Sequence, residues 1–243
     1  MDRSPLQAPV LIEQTGDTLT FTLNRPDAGN EVSGAMFDAM SAALRSEAVE
    51  PKARVLRLRA NGDVFCTGRE RAGRDAVSIR AEVARLIELK RLLRNTSLIS
   101  IAQVQGDALG FGFGLAILCD FTLVSSAARL GFPEMKAGLP PAAIMAYLGR
   151  YALPKAVFPM VLFGDAITPE LAVQAGLATR VCEPASLHAE ADTLAERILS
   201  LDEAGARQCK AFFLAAQESS AEHNFRSATD MLTVNALRLM QGR

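Results

Sequence analysis

One glutamate of the sequence stands in a setting that suits proton transfer. Glu134 lies between apolar neighbours in the stretch Phe132–Pro141 and directly follows Pro133. A carboxylate in such a setting can lose part of its hydration, which raises its pKa and suits it to general acid–base catalysis. A lone loop glutamate is equally compatible with a solvated or ion-paired surface role, so the chemistry needs a second feature beside it.

Two glycine-containing segments could supply that feature as a pair of anion-binding backbone N–H groups. The first runs from Val64 to Arg69 and the second from Gly106 to Gly112, and each follows a predicted strand. Glycine allows positive φ and a close approach of the main chain to a ligand. The N–H groups that follow such turns can converge on one oxyanion. Close helix–strand packing would explain the same glycines.

Other common catalytic signatures are absent from the sequence. Gly110–Gly114 does not fit GxGxxG, because Leu115 occupies the last glycine position, and there is no GxxxxGK[ST], GxSxG or HExxH motif. Both histidines, His188 and His223, lie in the C-terminal third, which leaves little material for a histidine-based triad. Cys66 lacks the cation or histidine pattern of a nucleophile and is predicted to be a packed thiol.

The composition excludes several classes of protein. The chain has 243 residues, of which 26 are basic and 27 acidic, so it lacks the basic excess of a nucleic-acid binder. No apolar run is long enough for a transmembrane helix, and Met1–Pro9 lacks the pattern of a secretory signal. The four cysteines are too scattered for a metal knuckle, so we expect no metal site and reduced core thiols in a cytoplasmic protein.

Alternating strands and helices must position these groups. In Val77–Asn95 the apolar residues share one helical face, and the charges are predicted to lie on the other side. Strands are followed at first by helices and then only helices remain, which indicates an α/β core with a helical C-terminal extension. The predicted strands are Val10–Gln14, Thr18–Leu23, Arg54–Arg59, Leu98–Gln105 and Phe121–Ser125. The predicted helices are Ser33–Glu47, Val77–Asn95, a turn and helix over Gly110–Cys119, a helix between Thr168 and Gly176, Leu187–Leu201, Glu203–Gln217 and Glu222–Met240.

Five segments, in order and at comfortable spacing, together resemble the crotonase (enoyl-CoA hydratase/isomerase) superfamily. One such motif alone would be weak, but these five cover nearly the whole chain. Leu23–Ala28 resembles the family's LNRPxA, Phe65–Arg69 its FxxGxD, Gly106–Asp120 its GxAxGGGxxLAxxCD, Pro133–Leu139 its PExxxGL, and Ala172–Leu177 its AxxxGLV.

The resemblance implies a fold, a substrate class and a set of site residues. The fold would be an α/β spiral of ββα units over residues 1–185, with a C-terminal helical region over residues 186–243 that forms trimers or dimers of trimers. The substrate would be an acyl-CoA whose thioester enolate is stabilised without a metal or redox cofactor. The oxyanion donors would be the backbone N–H groups of Arg69 and Phe111, and Glu134 would be the acid–base group. The other implied contacts with CoA or substrate are Asp27, Ala28, Cys66, Gly68, Gly110, Pro133 and Lys210.

The sequence departs from the family pattern at three positions. Arg69 stands where alanine is common, and Phe111 replaces the central glycine of a triplet. Gly114 stands where two-glutamate hydratases carry a carboxylate. With Glu134 alone, a proton shuttle of the isomerase type is the easiest reaction to write. Hydration by Glu134 alone, CoA lyase activity and non-catalytic acyl-CoA binding stay open.

The residue types alone favour simpler roles for several of these side chains. Arg69, Glu70, Arg71 and Arg74 are predicted to form a solvated charged stretch. Lys210 is predicted to be a surface charge on its helix. Phe111 and Phe113 are predicted to be core residues.

Overall fold

A six-stranded sheet organises the chain, which the computed structural model describes over residues 8–241. Most of Met1–Pro9, predicted not to be a secretory signal, lies outside the described residues. The order across the sheet is β1-β2-β3-β4-β6-β8, in which β1 and β2 are antiparallel and the other neighbours are parallel. The strands are β1 (Val10–Thr15), β2 (Thr18–Leu23), β3 (Val55–Ala60), β4 (Ile99–Val104), β5 (Ala108–Leu109), β6 (Phe121–Ser125), β7 (Leu130–Gly131) and β8 (Arg180–Cys182).

A second row of short extended segments lies beside the main sheet. Its strands β5 and β7 pair in parallel, with Ala108 opposite Leu130. Single bridges extend the row on both sides, from Cys66 to Ala108 and from Leu130 to Ile167. Because β3, β4 and β6 are each followed by a segment of this row, the chain repeats a long strand, a short strand and a helical segment. This repetition confirms the predicted spiral of ββα units.

Helices cover both faces of the main sheet. The larger apolar core includes Leu56 and Leu58 of β3, while Val55 belongs to a smaller core under the C-terminal region. This alternation follows from the two-residue period of a strand. The helices are α1 (Gly34–Val49), α2 (Ala76–Asn95), α3 (Phe111–Ile117), α4 (Ala142–Leu148), α5 (Pro154–Phe163), α6 (Pro169–Gln174), α7 (Leu187–Leu199), α8 (Glu203–Ala216) and α9 (Ala221–Met240).

Most of the predicted elements are confirmed. Each of the five predicted strands lies within one residue of an observed one at either end. The Thr168 side chain accepts a hydrogen bond from the Leu171 N–H, as expected of a helix N-cap. Helix α4 and the short strands β5, β7 and β8 were not predicted, because each is too short for a clear periodic signal. Helix α5 was also not predicted, and it carries Pro159 in its interior, a residue that is unfavourable inside a helix. In the described part of the chain, no helix is both long and apolar enough to cross a membrane.

The predictions about side-chain placement are wrong at Lys90 and Cys209. The charges of α2 do not all lie on its outer side, since Lys90 is buried together with Leu86, Leu89 and Leu93. The cysteines are all free thiols, but Cys209 is exposed on α8 and is not a core thiol. Both residues lie on amphipathic helices, where the sequence period defines a face only to within about one residue.

Candidate active site

Two turns that follow neighbouring strands are held side by side. After β3 and β4, Cys66 and Ala108 pair in parallel, with the Leu109 N–H donating to the Cys66 carbonyl at 2.9 Å and the Cys66 N–H donating to the Asp107 carbonyl at 3.0 Å. Arg69 and Phe111 each follow this pair by three residues, and both line the same cavity.

Glycines make this close approach possible. A Cβ atom on Gly112 would lie 2.2 Å from the Cys66 carbonyl oxygen, so no other residue fits there without moving the main chain. Gly110 has a φ of 52°, in the left-handed region that glycine adopts without strain. The glycines therefore serve close main-chain packing and also allow the turn itself, so the two interpretations of the glycine pattern are both satisfied.

The backbone N–H groups of Arg69 and Phe111 stay free for another acceptor. Phe111 is the first residue of α3, where a helical N–H has no partner within the helix. Val32 bonds to the residues on either side of Arg69, donating to Gly68 and accepting from Glu70, so the Arg69 N–H points away from Val32. Within residues 8–241, neither of these two N–H groups donates to another group of the chain.

Arg69 and Phe111 both border a cavity of about 790 Å³, a volume within the usual range for a small-molecule binding site. Its walls come from the two turns, the face of α2, and the segment that runs from Pro133 into α4. The lining residues are Glu31, Thr67, Gly68, Arg69, Arg71, Val83, Leu86, Lys90, Gly110, Phe111, Pro133, Glu134, Ala137, Leu139, Pro140, Pro141, Ala142, Ala143 and Ile144.

Glu134 reaches this cavity from a short 3₁₀ helix, Pro133–Ala137, which ends at Gly138. Its Oε1 atom lies 2.7 Å from the position that a Cβ on Gly110 would occupy, so the carboxylate packs against the second turn. Its Oε2 atom is buried and has no hydrogen-bond partner among the described residues. Burial raises the pKa of the Glu134 carboxyl, while its own backbone N–H, Lys90 and Arg71 oppose that shift.

A buried lysine borders the same cavity and contacts a buried tyrosine behind it, and sequence reasoning missed both. Lys90 is 4% exposed and its Nζ donates a hydrogen bond to the Tyr147 hydroxyl at 2.8 Å. The Tyr147 hydroxyl donates in turn to the Gly114 carbonyl at 2.7 Å. The sequence feature that could have revealed Lys90 is its position between Leu86 and Leu93 on the apolar face of α2.

This pair explains why position 114 is a glycine. A Cβ on Gly114 would lie 2.6 Å from the Tyr147 hydroxyl and 2.8 Å from Lys90 Nζ. A longer side chain, such as a glutamate, would displace both groups. The space beside this turn of α3 is therefore taken by an amine that enters from α2.

Five of the seven predicted contacts with CoA or substrate lie in the cavity or near its rim. Gly68, Gly110 and Pro133 line the cavity. Asp27 and Ala28 are exposed and are not among its lining residues. They are nevertheless close to its rim, because the Glu31 N–H donates to the Ala28 carbonyl at 3.1 Å and Glu31 is a lining residue.

Cys66 is a packed thiol, as its residue type predicted. Its side chain is fully buried beneath the first turn, and burial raises the pKa of the thiol to about 12. Cys66 does not line the cavity, so its side chain gives no support to the predicted substrate contact. Its backbone contributes instead, through the pairing with Ala108.

The prediction of Lys210 as a surface charge is wrong. Lys210 is 8% exposed, and its Nζ donates to the Leu98 carbonyl and to the Asp120 carboxylate, each at 2.6 Å. It does not border the cavity that contains Glu134. A role in binding CoA stays a prediction that the contacts within one chain do not support.

Arg69 also departs from the predicted solvated stretch, because its side chain is mostly buried and ion-paired with Glu82 of α2. Arg71 borders the cavity, and Glu70 forms an ion pair of 2.5 Å with Arg25. Phe111 and Phe113 are core residues as predicted, although Phe111 also lines the cavity.

The sequence matches one family model over residues 13–237, described as enoyl-CoA hydratase/isomerase. A putative enoyl-CoA hydratase of Thermus thermophilus is 29% identical over 221 residues, which cover 88% of this chain and 87% of the relative. A 2,3-dehydroadipyl-CoA hydratase of Escherichia coli is 31% identical over 180 residues, which cover 71% and 68%.

The fold agrees with solved structures of the same kind. The structure of an enoyl-CoA hydratase from Mycobacterium smegmatis superposes with a TM-score of 0.90 at 27% identity, covering 94% of this chain and 91% of that one. An enoyl-CoA hydratase/isomerase from Marinobacter aquaeolei, at 22% identity, gives a TM-score of 0.85 and covers 97% of both chains. The second likeness concerns the fold alone.

Proposed function

Because the chain belongs to the enoyl-CoA hydratase/isomerase family, we propose a specific division of labour in its cavity. The backbone N–H groups of Arg69 and Phe111 bind the thioester oxygen of an acyl-CoA and stabilise the enolate. Glu134 moves the proton. Oriented backbone donors act most strongly on charge that develops during the reaction, which is the condition met by an enolate oxygen.

The observation that carries this proposal is the buried, unpartnered Oε2 atom of Glu134 in the cavity that Arg69 and Phe111 also line. A buried carboxylate oxygen without a hydrogen-bond donor is costly for the folded protein. Such a cost is typical of a functional group and is hard to reconcile with a purely scaffolding role. This favours catalysis over non-catalytic acyl-CoA binding.

Glu134 acting alone supports one reaction most directly. It can take a proton from one carbon of the acyl chain and return it to another, which moves the double bond. A hydratase or a CoA lyase would pass through the same enolate. The relatives named as hydratases favour water addition, which commonly uses two groups, one to activate the water and one to deliver a proton.

The test is a Glu134→Gln variant assayed with a panel of enoyl-CoA thioesters by mass spectrometry. Hydration adds the mass of water and isomerisation does not. We expect turnover to fall at least about 10²-fold, because an amide cannot accept the proton. Binding of CoA thioesters, measured by calorimetry, should persist.

Glu170 provides a matched control, because it also follows a proline in the first turn of a helix and is exposed on α6. Glu170→Gln should leave turnover unchanged. Wild-type turnover that survives Glu134→Gln would reject the assignment. Binding without any wild-type turnover across the panel would favour the non-catalytic role.

The remaining expectations belong to the same proposal. The reaction would use groups of the chain alone, without a metal or redox cofactor, and the protein would act in the cytoplasm. The assembly would be a homotrimer or a dimer of trimers. Support for an assembly comes from large apolar side chains that α8 and α9 expose, including Phe213, Phe225, Leu232 and Leu239.

A further inference from the structure

The amine of Lys90 is placed where it can reach a ligand in the cavity. Lys90 is among the lining residues, and its Nζ lies 5.0 Å from the centre of the Phe111 ring. Phe111 carries one of the two proposed oxyanion donors. Gly110 and Gly114 are four residues apart, which is about one helical turn. The Glu134 carboxylate lies against the open side of Gly110, and Lys90 Nζ lies against that of Gly114. The carboxylate and the amine thus flank the same turn of α3.

Tyr147 fixes the orientation of this amine. The Tyr147 hydroxyl proton is committed to the Gly114 carbonyl, so its oxygen accepts one N–H of Lys90. A protonated lysine has three N–H donors, so two remain for the cavity. The tyrosine therefore holds the nitrogen in place without consuming its capacity to give a proton.

The surroundings of Lys90 favour exchange of that proton near neutral pH. Burial lowers the pKa of Lys90 to about 7, and the charge of Glu134 opposes this shift. No carboxylate within residues 8–241 forms an ion pair with Lys90. The other ionisable groups that border the cavity are Glu31, Arg69 and Arg71. The charged residues of α2 that form ion pairs with neighbouring elements do so as Asp38–Arg85, Arg45–Glu88, Arg69–Glu82 and Arg94–Glu218.

We propose that Lys90, held by Tyr147, is a second proton-transfer group of this site, and that it enables Glu134 to add water to an α,β-unsaturated acyl thioester. The inference rests on the proposed function and makes it more specific. It assigns to an amine from α2 the proton delivery for which position 114 offers no carboxylate.

The reaction balances with these groups alone. The Glu134 carboxylate takes a proton from water as the water oxygen bonds to C3, and the C2=C3 electron pair moves onto the thioester oxygen to give the enolate. The Lys90 ammonium then gives a proton to C2: the C2–H bond forms, the Nζ–H bond breaks, and the thioester carbonyl returns. Proton transfer from Glu134 to the Lys90 amine, directly or through water, restores both groups.

The decisive variant is Lys90→Met, which keeps the length of the side chain and removes the amine. We expect water addition to fall at least about 10²-fold, the usual scale of an acid–base group. Thermal stability should be unchanged or higher, because a buried charge without a carboxylate partner is replaced by an apolar side chain. Arg91→Met is the matched control, since it removes a charge from an exposed site on the same helix and should change turnover by no more than about twofold.

The pH profile separates proton transfer from a structural role. The wild-type kcat/KM should fall on the alkaline side as Lys90 loses its proton, with an apparent pKa near 7. Lys90→Met should lose this limb. Tyr147→Phe keeps the amine but removes a hydrogen-bond acceptor for the charged form, so its alkaline limb should move to lower pH.

Each outcome bears on the inference. Water addition by Lys90→Met at the wild-type rate, or an unaltered alkaline limb in both variants, overturns the role of Lys90 and leaves that of Glu134 intact. A wild-type enzyme that isomerises without hydrating also overturns it. A wild-type protein that turns over no thioester overturns the proposed function as well. Loss of water addition together with loss of the limb supports the inference.

Discussion

The burial of Glu134 has a consequence for the pH dependence of the reaction. Its carboxyl pKa is raised by burial, so the group stays protonated to a higher pH than a solvated glutamate. As a base it acts only when ionised, and activity is therefore lost as the pH falls through this raised pKa. We expect the acid limb of kcat/KM to lie above the ordinary glutamate value of 4.5.

Lys90→Met should move that acid limb further upward, because the Lys90 charge lowers the pKa of Glu134. The measurement is the pH dependence of kcat/KM for the wild type and this variant. An acid limb at or below 4.5 would contradict the buried position of the carboxylate.

Gly110 permits a second prediction at the residue scale. A methyl group there would lie 2.7 Å from Glu134 Oε1, so Gly110→Ala should push the carboxylate out of place. Displacement of a catalytic group by about 1 Å can cost about 10²-fold in rate, and we expect a loss of that size in kcat.

Gly16 supplies a control for a positive φ alone, because its φ is 54° and a methyl group there meets nothing within 4 Å. Gly16→Ala should cost about 1–2 kcal/mol of stability through backbone strain, without affecting kcat. Unchanged kcat in Gly110→Ala would contradict the contact between this turn and the Glu134 carboxylate.

At the scale of elements, a partly buried ion pair helps to hold α8 against the sheet. Lys210 on α8 bonds to Asp120, whose carboxylate also accepts from the N–H and the hydroxyl of Ser100. Lys210→Met would leave Asp120 without its cation. We expect a loss of about 1.5–3 kcal/mol in the free energy of unfolding, measured with urea.

The same variant tests the predicted role of Lys210 in CoA binding. Since Lys210 does not border the cavity with Glu134, KM for an acyl-CoA should stay unchanged in the folded variant. Lys155→Met, at an exposed position on α5, should alter neither quantity. If KM rises for Lys210→Met and not for Lys155→Met, Lys210 does contact CoA, and it does so in the site of another copy of the chain.

On the scale of the whole molecule, α9 exposes an apolar stripe. Phe225, Leu232 and Leu239 recur every seven residues and are 67% exposed or more. Residues at this spacing share one face of a helix, and large exposed apolar patches are typical of protein–protein interfaces. We therefore expect this face of α9 to contribute to the proposed trimer.

Replacing Phe225 and Leu232 together with aspartate should dissociate the assembly, because two charges would be buried at the contact. Sedimentation velocity measures the result. Asp230→Lys changes a charge on the opposite side of α9 and should leave the assembly intact. A double variant that sediments like the wild type would place the interface elsewhere.

The sequence by itself determined the α/β class, the main strands, the long helices and the position of Glu134. These features depend on local signals: strand and helix periods, the cap at Thr168, and the glycines that allow the two turns. The same local signals located the two turns that follow β3 and β4, whereas the resemblance to the crotonase superfamily pointed to the N–H groups of Arg69 and Phe111 within them. They could not measure the burial of Glu134.

Only the tertiary structure decided the environment of Lys90 and the partner with which Lys210 forms its ion pair. Lys90 meets Tyr147, which lies 57 residues away in the chain, and Lys210 meets Asp120, which lies 90 residues away. The helical period predicts which face a residue occupies, but a lysine on an apolar face is stable only if the surrounding elements supply partners or a cavity. Those partners are set by packing between distant segments, which no local pattern encodes.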